Sequence, residues 1–577
     1  MIRWKKFVEL LSSPRLMADS KSQHYDVIIL GGGLAGMTCA LHCRKQIPEA
    51  KITIIEKAVH PVPEATHKVG ESSVEVGAHY LGEFLGFRDH LENEQIPKMG
   101  LRLFFDRGDN AKIEERLEVG GTQFPPHQSY QFDRGRFENF LAEQCIDQDI
   151  DFVSSARINE IEVNKRKVDH RIRYEKEGEE TELTSRWVVD ASGRPGLLKR
   201  KLTLKKESDH KNNSAWIRIG KRVKVDDWSD DAEWGKNFSE GHPRWQSTNH
   251  MLGEGYWIWI IPLSSGSTSI GIVADPEKHP LSEFNSQEKF IAWIEKMQPQ
   301  LGADIRKDEF QIQDFRAIKR YATECKELFS SDRWGIVGDA GFFIDPFYSP
   351  GNDFIAMANF FVCELIDRDL KGKSNLVRVP LYNKLFRLFY QGTGAIFKNN
   401  YHLFGHHQIM PVKIVWDWMV YWTITGHIVI QERLTDPKVY LRHMFHLKRL
   451  NDLNELMQGH LREWAKQSPP EQLGGTIDTS KMCFLMGANR ALGDRLDDKQ
   501  FADRFASNVR QMETLFWEIV DHSGLKIKAP FRRREHADAT KGGFEMVFRI
   551  PSGEPYEMPM EDDMQDKASM AETPAMV

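Results

Sequence analysis

Two stretches of this chain combine residue types that suit chemistry at a bound organic ligand. Residues 338–354, GDAGFFIDPFYSPGNDF, place Asp339 and Gly341 in a tight turn and continue into a rigid loop rich in proline and glycine. Residues 255–262, GYWIWIIP, predict an aromatic strand that stops at Pro262, because proline cannot donate to a strand ladder. An acid on such a turn can accept hydrogen bonds from ligand hydroxyls, and large aromatic rings can shape the space beside it.

The elements that must position these residues begin with a strand–turn–helix–strand unit near the N-terminus. An apolar strand runs directly into GGGLAG at 31–36. In this context Gly31 makes the tight turn, Gly33 lets the backbone approach a pyrophosphate, and Gly36 lets helix and strand pack closely. The spacing predicts a dinucleotide site, and a glycine turn that binds nothing is the alternative.

The same unit offers further contacts to a dinucleotide. Leu34 and Ala35 begin the helix, whose free N–H groups and positive dipole end favour phosphate. Glu56 ends the second strand, where a carboxylate can accept from ribose hydroxyls, which favours FAD or NAD over NADP. Asp339 favours FAD, because an acid supplied from far along the chain suits the ribityl hydroxyls of a flavin. An aspartate that caps a nearby helix explains the same turn equally well.

Composition excludes several other classes of protein. The 577 residues are 40% hydrophobic and 28% charged, as in ordinary globular proteins. The net charge of −6 argues against a nucleic-acid partner. Six cysteines without a CxxC motif indicate reduced thiols and a cytoplasmic location. No run of 18 apolar residues occurs, so we expect neither a transmembrane helix nor a membrane partner.

From about residue 25 to residue 361 the chain resembles the flavin-dependent halogenases, within the wider fold of aromatic hydroxylase-like flavoproteins. The resemblance rests on an ordered series of motifs. These are GGGLAG at 31–36, KVGES at 68–72, PKMGLRLFF at 97–105, DRGRF at 133–137, VVDASG at 188–193, WIWIIP at 257–262 and GDAGFFIDPFYSPG at 338–351. It implies an α/β fold with a Rossmann-like FAD-binding domain and an interleaved antiparallel-sheet substrate domain. It also makes Arg136, within DRGRF, a candidate FAD contact.

The resemblance assigns roles to three side chains. Trp257 and Trp259 match the WxWxIP signature that separates halogenases from ordinary flavin hydroxylases, and strand alternation puts both indoles on one face. They are expected to form a wall between flavin and substrate; a plain core strand is the alternative. Lys98 matches the lysine that hydrogen-bonds or captures hypohalous acid in this family, whereas a solvated surface lysine is the alternative.

The loop after the Asp-Pro pair departs from the tryptophan halogenases. Those enzymes carry a glutamate, a serine, a threonine and a glycine where this chain has Tyr348, Ser349, Pro350 and Gly351. Tyr348 in the catalytic acid's place favours a phenol- or pyrrole-like ring, which donates into itself from its own heteroatom. Pro350 has no N–H and so removes one of the two backbone donors for halide. Ser349 and Gly351 remain as halide ligands, with Asn352 as a cofactor contact that can also reach the anion.

Beyond about residue 370 the resemblance fades, and long apolar periodicities predict an additional helical C-terminal region. His402 and His406 have helical spacing but no nearby acid, so no metal site is expected. The predicted divisions are an N-terminal extension at 1–23, the FAD-binding and interleaved substrate domain at 24–369, the helical domain at 370–545, and a disordered acidic tail at 546–577.

Taken together, the sequence predicts an FAD-dependent oxidoreductase of the halogenase type. It would use reduced FAD, dioxygen and halide on an electron-rich aromatic ring, free or tethered to a carrier. A second GxGxxG motif is absent from the sequence, which agrees with reduced FAD supplied by a separate flavin reductase. Pro350 supports the alternative, an aromatic monooxygenase or oxidase that uses no halide. A non-catalytic flavoprotein is the third possibility.

Overall fold

The computed structural model describes residues 23–65, 68–236, 242–307, 309–529 and 533. The predicted tail at 546–577 and all but residue 23 of the predicted N-terminal extension lie outside these ranges.

The glycine turn belongs to a sheet that is mainly parallel. In spatial order its strands are Phe329–Ser330, Trp334–Ile336, Glu179–Asp190, Gln23–Leu30, Ile52–Ile55 and Asp151–Val153. All neighbours run parallel except the first pair. The Gln23–Leu30 and Ile52–Ile55 strands are apolar and buried along most of their length, which is typical of parallel sheets covered by helices. An antiparallel hairpin, Arg157–Glu162 and His170–Lys176, extends the Glu179–Asp190 strand.

A second sheet of eight strands carries the tryptophan signature. In spatial order its strands are Ile312–Ile318, Asn213–Ile219, Thr268–Ala274, Tyr256–Pro262, Thr248–Gly253, Leu101–Phe105, Leu117–Gly120 and Gly475–Asp478. Five of the seven pairings are antiparallel, and two are parallel. Because seven of its eight strands come from segments between those of the first sheet, the predicted interleaving is confirmed.

Helices cover both sheets and dominate the C-terminal region. In chain order the α-helices among the described residues are Leu34–Gln46, Glu75–His79, Arg88–Glu94, Arg134–Asp147, Leu197–Lys201, Ala232–Gly235, Gln287–Met297, Pro299–Ile305, Gly351–Leu370, Arg378–Phe397, Ile409–Val420, His427–Ile430, Pro437–Gln467, Cys483–Arg490 and Asp498–Ser523. The predicted helical C-terminal region is therefore present. It also contributes the edge strand Gly475–Asp478 to the second sheet, which the sequence did not indicate. Across the described ranges, no helix has both the length and the apolar character needed to cross a bilayer.

The Tyr256–Pro262 strand separates two buried clusters. Trp257, Trp259 and Ile261 face the main core, which also includes the first sheet. Ile258 and Ile260 face a smaller core on the other side. The predicted alternation is thus confirmed, and both indoles lie on the face of the strand that contacts the main core.

Candidate functional site

Three of the four glycines in the first turn serve clearly different purposes. Gly31 has φ +114°, and a Cβ there would lie 2.5 Å from the Ala191 carbonyl oxygen. A Cβ on Gly36 would lie 1.9 Å from the Gly31 carbonyl oxygen, so this glycine is needed for packing. A Cβ on Gly33 would meet only a carboxylate oxygen of Glu138, at 4.0 Å. The space above Gly33 is therefore open, as a pyrophosphate requires.

Around this open space lie the other predicted dinucleotide contacts. Leu34 and Ala35 form the first turn of the Leu34–Gln46 helix, where N–H groups lack intrahelical acceptors. The Glu56 carboxylate accepts from the Gly32 N–H at 2.5 Å and from the Ala58 N–H at 2.6 Å. These bonds fix the carboxylate at the strand end and leave it lone pairs for a ribose hydroxyl.

The second turn brings Asp339 to the same region. Residues Gly338–Ala340 form a 3₁₀ turn directly after the Trp334–Ile336 strand. Burial raises the pKa of Asp339, while the positive charges of Arg194 and Arg134 act in the opposite direction. A Cβ on Gly341 would lie 2.4 Å from Leu328, so Gly341 is required by packing beside the turn.

In DRGRF, the structure places the two arginines on different sides of one helix. Arg136 lies at the surface, where its Nε donates to Glu64 at 2.8 Å and both side chains are about half exposed. Arg134 is mostly covered, with its side chain 11% exposed, and it donates to the Val69 carbonyl and to Glu138, both at 2.5 Å. Since Arg134 also influences Asp339 electrostatically, it is the arginine of the motif that faces the turn. Its spacing of four from Glu138 is a signal that could have distinguished the two.

These residues fit a bound FAD. Open space lies above Gly33 and also at Gly193, whose φ of +68° belongs to the VVDASG turn. A helix N-terminus, two carboxylates and Arg134 line the same region. Hydroxyls, phosphates and a dinucleotide backbone each find a suitable partner there.

Lys98 is buried in the protein and is not a solvated surface lysine. It ends the Ile96–Lys98 strand and is 1% exposed. Its Nζ donates to Ser72 Oγ at 2.9 Å and to the Ser73 carbonyl at 2.8 Å. Burial lowers the Lys98 pKa to about 7, against the opposing charges of Glu75 and Asp353. The ammonium can therefore lose its proton near neutral pH.

A cavity with mostly apolar walls opens at Lys98 and extends into the C-terminal region. The lining residues from the part of the chain before residue 370 include Val74, Glu75, Met99, Leu101, Tyr348, Pro350, Asp353 and Met357. C-terminal lining residues include Leu388, Phe389, Ile396, Trp418, Tyr421, Trp422, Leu447 and Met486. Such walls suit a hydrophobic aromatic molecule. Glu75 and Asp353 were not singled out from the sequence, because a single acid in an otherwise apolar stretch carries no motif.

The two tryptophans lie behind this cavity. Neither indole belongs to the described residues that line the cavity. Trp257 packs edge-on against Phe347, with ring centroids 5.1 Å apart, and lies 5.8 Å from Trp259. Trp259 lies over Gly271 of the adjacent strand, where a Cβ would come within 2.1 Å of the indole. The pair therefore forms a rigid aromatic layer next to the loop residue Phe347.

A buried polar network anchors that layer. The Trp257 Nε1 donates to the Tyr401 hydroxyl at 3.0 Å. Tyr401 and Tyr321 donate to the same Asp345 oxygen at 2.5 and 2.7 Å, and His210 Nε2 lies 2.7 Å from it. Asp345 is the acid of the Asp-Pro pair, so the network connects the loop, the tryptophan strand and the C-terminal region.

The loop after Asp345 is held in an unusual backbone conformation. Tyr348 and Ser349 have φ of +66° and +58°, a region that residues other than glycine rarely adopt. The Tyr348 hydroxyl donates to Asp417 at 3.2 Å. The Ser349 N–H already donates to the Pro346 carbonyl at 2.9 Å. Gly351 then begins the Gly351–Leu370 helix, and a Cβ there would meet nothing within 4 Å.

Asn352 connects this helix start to Lys98. Its Nδ2 donates to the Ser72 carbonyl at 3.4 Å, and the Ser72 hydroxyl accepts from Lys98. The first N–H groups of this helix, which belong to Gly351 and Asn352, lack intrahelical acceptors. The helix start is thus connected to the lysine through one residue, Ser72. An anion held there would face the cavity side of the loop.

The described residues contain one group of side chains that could hold a metal ion, and the paired histidines of the C-terminal region do not belong to it. His406 Nε2 lies 3.2 Å from the Ser468 carbonyl oxygen, in keeping with a structural role. The one cluster that could hold an ion consists of Cys39, Cys43 and Cys363, whose buried sulfur atoms lie within 4.8 Å of one another. The expectation that the protein has no metal site remains a prediction.

Comparison with known proteins agrees with this geometry. A family model described as FAD binding domain matches residues 24–351. A flavin-dependent halogenase from Dictyostelium discoideum, chlA, is 31% identical over an alignment of 432 residues, and the match covers 70% of each chain. A 1H-pyrrole-2-carbonyl-(peptidyl-carrier protein) chlorinase from Pseudomonas fluorescens Pf-5 is 26% identical over 360 residues, 57% of this chain and 72% of that protein.

A solved structure supports the fold over a longer stretch. The crystal structure of halogenase PltM in complex with phloroglucinol and FAD matches with a TM-score of 0.61. The match covers 86% of this chain and 96% of that one at 15% identity, so it bears on the fold alone. It extends well past residue 370, where the motifs end.

Proposed function

Because this chain belongs to the flavin-dependent halogenases, we propose that it halogenates a phenol- or pyrrole-like ring in the cavity beside Lys98. The observation that carries this proposal is the placement of a buried lysine between a helix N-terminus and an apolar cavity. A hydrogen-bonding ammonium at that point can hold a small neutral oxidant against a ring packed on apolar walls. The substrate is a hydrophobic aromatic, either free or tethered to a carrier protein.

FAD would be held by the Gly33 turn, the Leu34–Gln46 helix, Glu56, Arg134 and Asp339. When bound and reduced, it supplies hypohalous acid from dioxygen and halide. A separate flavin reductase would supply the reduced cofactor. The chain's own task is to bind halide, to hold hypohalous acid at Lys98 and to position the ring.

For halide, the Gly351 N–H is the best-placed donor. Its helix N-terminus favours an anion, whereas the Ser349 N–H is already used within the turn. Pro350 contributes no N–H, so the site holds halide with fewer donors than two flanking backbone groups would give. One missing hydrogen bond to a charged group costs about 1.5–3 kcal/mol.

The experiment combines the protein with FAD, a flavin reductase, NADH, a panel of aromatic substrates, and chloride or bromide. Mass spectrometry of the products should show halogenated phenols or pyrroles but no halogenated tryptophan. Chemically reduced FAD should replace the reductase, which shows that the reductase supplies only cofactor. Halogenated tryptophan, with phenols and pyrroles untouched, would contradict the substrate proposal.

A second candidate function, an aromatic monooxygenase, is favoured by Pro350. Without a firmly held halide, the same residues would hold FAD and the ring for hydroxylation of the ring by dioxygen chemistry that the bound cofactor would supply. Hydroxylated products formed equally with and without halide would identify this function.

A further inference from the structure

We propose that Glu75 is a catalytic residue of this site, the carboxylate that removes the ring proton after Lys98 has positioned the oxidant. This inference rests on the proposed function, and no motif of the loop assigns the role. Tyr348 stands where the tryptophan halogenases carry an acid, so a carboxylate that accepts the ring proton has to come from another element.

Glu75 belongs to a different element than the loop that carries Tyr348. It is the first residue of the Glu75–His79 helix, only 6% exposed, and it lines the same cavity as Lys98. Asn489, from the C-terminal region, donates its Nδ2 to Glu75 Oε1 at 2.9 Å. One carboxylate oxygen is thereby fixed, and the side chain is held at the cavity wall rather than in solvent.

The other carboxyl groups of the cavity are committed to structural bonds. Asp353 accepts from the Gly77 N–H and from the Tyr421 hydroxyl, one to each oxygen, both at 2.8 Å. Asp417 accepts from Lys413 at 2.7 Å and from Tyr348 at 3.2 Å on one oxygen, and from the Gln458 amide on the other. Of the two carboxyl groups whose charges act on Lys98, Glu75 has the larger influence, and it is the one assigned to exchange a proton with a bound ring.

The charges around Glu75 suit a proton acceptor. Burial raises its pKa, while hydrogen bonds from its own backbone N–H and from Trp422, and then the Lys98 charge, act in the opposite direction. Asp353, whose pKa burial raises to about 8, and Tyr421 face the same cavity and share this environment. A carboxylate with a raised pKa is a stronger base than an exposed one, which is what proton removal near neutral pH requires.

The proton balance closes within the pair. As a ring carbon bonds to the halogen of hypohalous acid, the oxygen–halogen bond breaks and its electron pair leaves as hydroxide. Lys98 ammonium protonates that hydroxide to water. The tetrahedral ring carbon then gives its proton to the Glu75 carboxylate, and the C–H electron pair restores aromaticity. Transfer of that proton from Glu75 to the neutral Lys98 amine resets both groups, so the sum is ring plus hypohalous acid giving halogenated ring plus water.

The test uses E75Q, which keeps the acceptor for Asn489 but cannot take a proton. Halogenated product should fall at least about 100-fold, in line with loss of a general base. Hypohalous acid should still form, and a diketone trap added to the solution should capture it at the wild-type rate. Thermal denaturation and FAD titration should match the wild type. E75D, with a shorter carboxylate, should retain intermediate activity.

The matched control is E83Q, which alters an exposed glutamate just after the Glu75–His79 helix that pairs with Arg88 at the surface and does not line the cavity. It should keep most of the wild-type rate. Wild-type product formation should also fall at low pH as Glu75 becomes protonated, and E75Q should lack this acid limb.

Product formation by E75Q at the wild-type rate would overturn the inference, as would equal losses in E75Q and E83Q. Loss of trapped hypohalous acid in E75Q would overturn it as well, because the defect would then precede the ring. If E75Q cannot be folded, E75D decides alone: full activity with an unaltered acid limb contradicts the role. Wild-type protein that yields no halide-dependent product would instead contradict the proposed function itself.

Discussion

At the scale of single residues, burial determines what Lys98 can do. An exposed lysine titrates far above neutrality and remains an ammonium in the cell. Here the loss of hydration brings the pKa to about 7, so the same side chain can donate a proton and take it back. Ser72 and Ser73 hold its Nζ in place, which removes the flexibility of the stem.

Lys98→Ala should separate two activities. Reduced FAD should still be reoxidised by dioxygen, because Lys98 lies on the cavity side of the loop and away from the Gly33 turn. Halogenated product should fall to background, since the hypohalous acid has no donor to hold it. Stopped-flow absorbance gives the first rate and mass spectrometry the second. Unchanged product yield would show that Lys98 has no part in the reaction.

The pH dependence follows from the direction of the Lys98 shift. The ammonium is the form that donates to the departing hydroxide, and it is depleted as pH rises through about 7. Product formation with chemically reduced FAD should therefore decline above pH 7, rather than above pH 10 as for an exposed lysine. A rate that stays constant from pH 7 to pH 9 would contradict proton donation by Lys98.

Residue-level prediction from the sequence succeeded where a motif fixes the geometry. The roles of Gly31 and Gly36 follow from the turn, and their backbone contacts agree. Arg136 and Arg134 show the limit of motif-based prediction, since both occur in DRGRF. Two residues along a helix turn the side chain by about 200°. Only the position of the helix in the fold shows which of the two arginines faces the interior. Glu75 needed tertiary structure, because Asn489 and Lys98 reach it from distant segments.

At the scale of elements, two turns determine which ligands the site can hold. The first turn has one glycine that faces open space, two that face backbone, and one, Gly32, that faces side chains. The second has two consecutive residues with positive φ, followed by a helix that starts at Gly351. Strain of this kind costs of the order of 1–3 kcal/mol per residue and persists where the surrounding structure enforces it.

Two valine substitutions in the first turn should have opposite consequences. Gly33→Val should leave the melting temperature of the FAD-free protein unchanged and abolish FAD binding, because its side chain enters open space. Gly36→Val should destabilise the fold by about 1–3 kcal/mol or more, because its Cβ meets the Gly31 carbonyl. Fluorescence titration with FAD and thermal denaturation give the two readouts. Wild-type FAD affinity in Gly33→Val would show that the cofactor lies elsewhere.

Restoring an N–H at position 350 should improve the use of chloride relative to bromide. Wild type should prefer bromide, which is more easily oxidised and depends less on a tight site. Pro350→Ala supplies the N–H alone, whereas Pro350→Thr adds a hydroxyl that can cap the helix and compete with the anion. The ratio of chlorinated to brominated product should therefore rise most in Pro350→Ala. An unaltered ratio in both variants would exclude a halide contact at this position.

The elements themselves were largely predictable. Strong periodicity gave the long C-terminal helices, and alternation gave the faces of the tryptophan strand. The Gly475–Asp478 strand was not predictable, because four residues carry no period and pairing with Leu117–Gly120 alone makes them a strand. The position of the tryptophans was only partly anticipated, since their burial behind Phe347 depends on how the loop packs.

At the scale of the whole molecule, the C-terminal region completes the site. It supplies Tyr401 to the network under Trp257, Asn489 to Glu75, and a large part of the cavity wall. The domain boundary predicted at residue 369 therefore remains a prediction. In the structure, the two parts share one cavity and one polar network.

The central claim is that this site transfers halogen to an aromatic ring. The most direct measurement follows halogenated and hydroxylated products of one phenol in the same reactions, with reduced FAD and dioxygen, as bromide or chloride is raised from zero. Halogenated product should rise with halide to saturation, and hydroxylated product should stay near background throughout. Hydroxylated product that forms without halide and does not change as halide is added would contradict the claim and identify a monooxygenase.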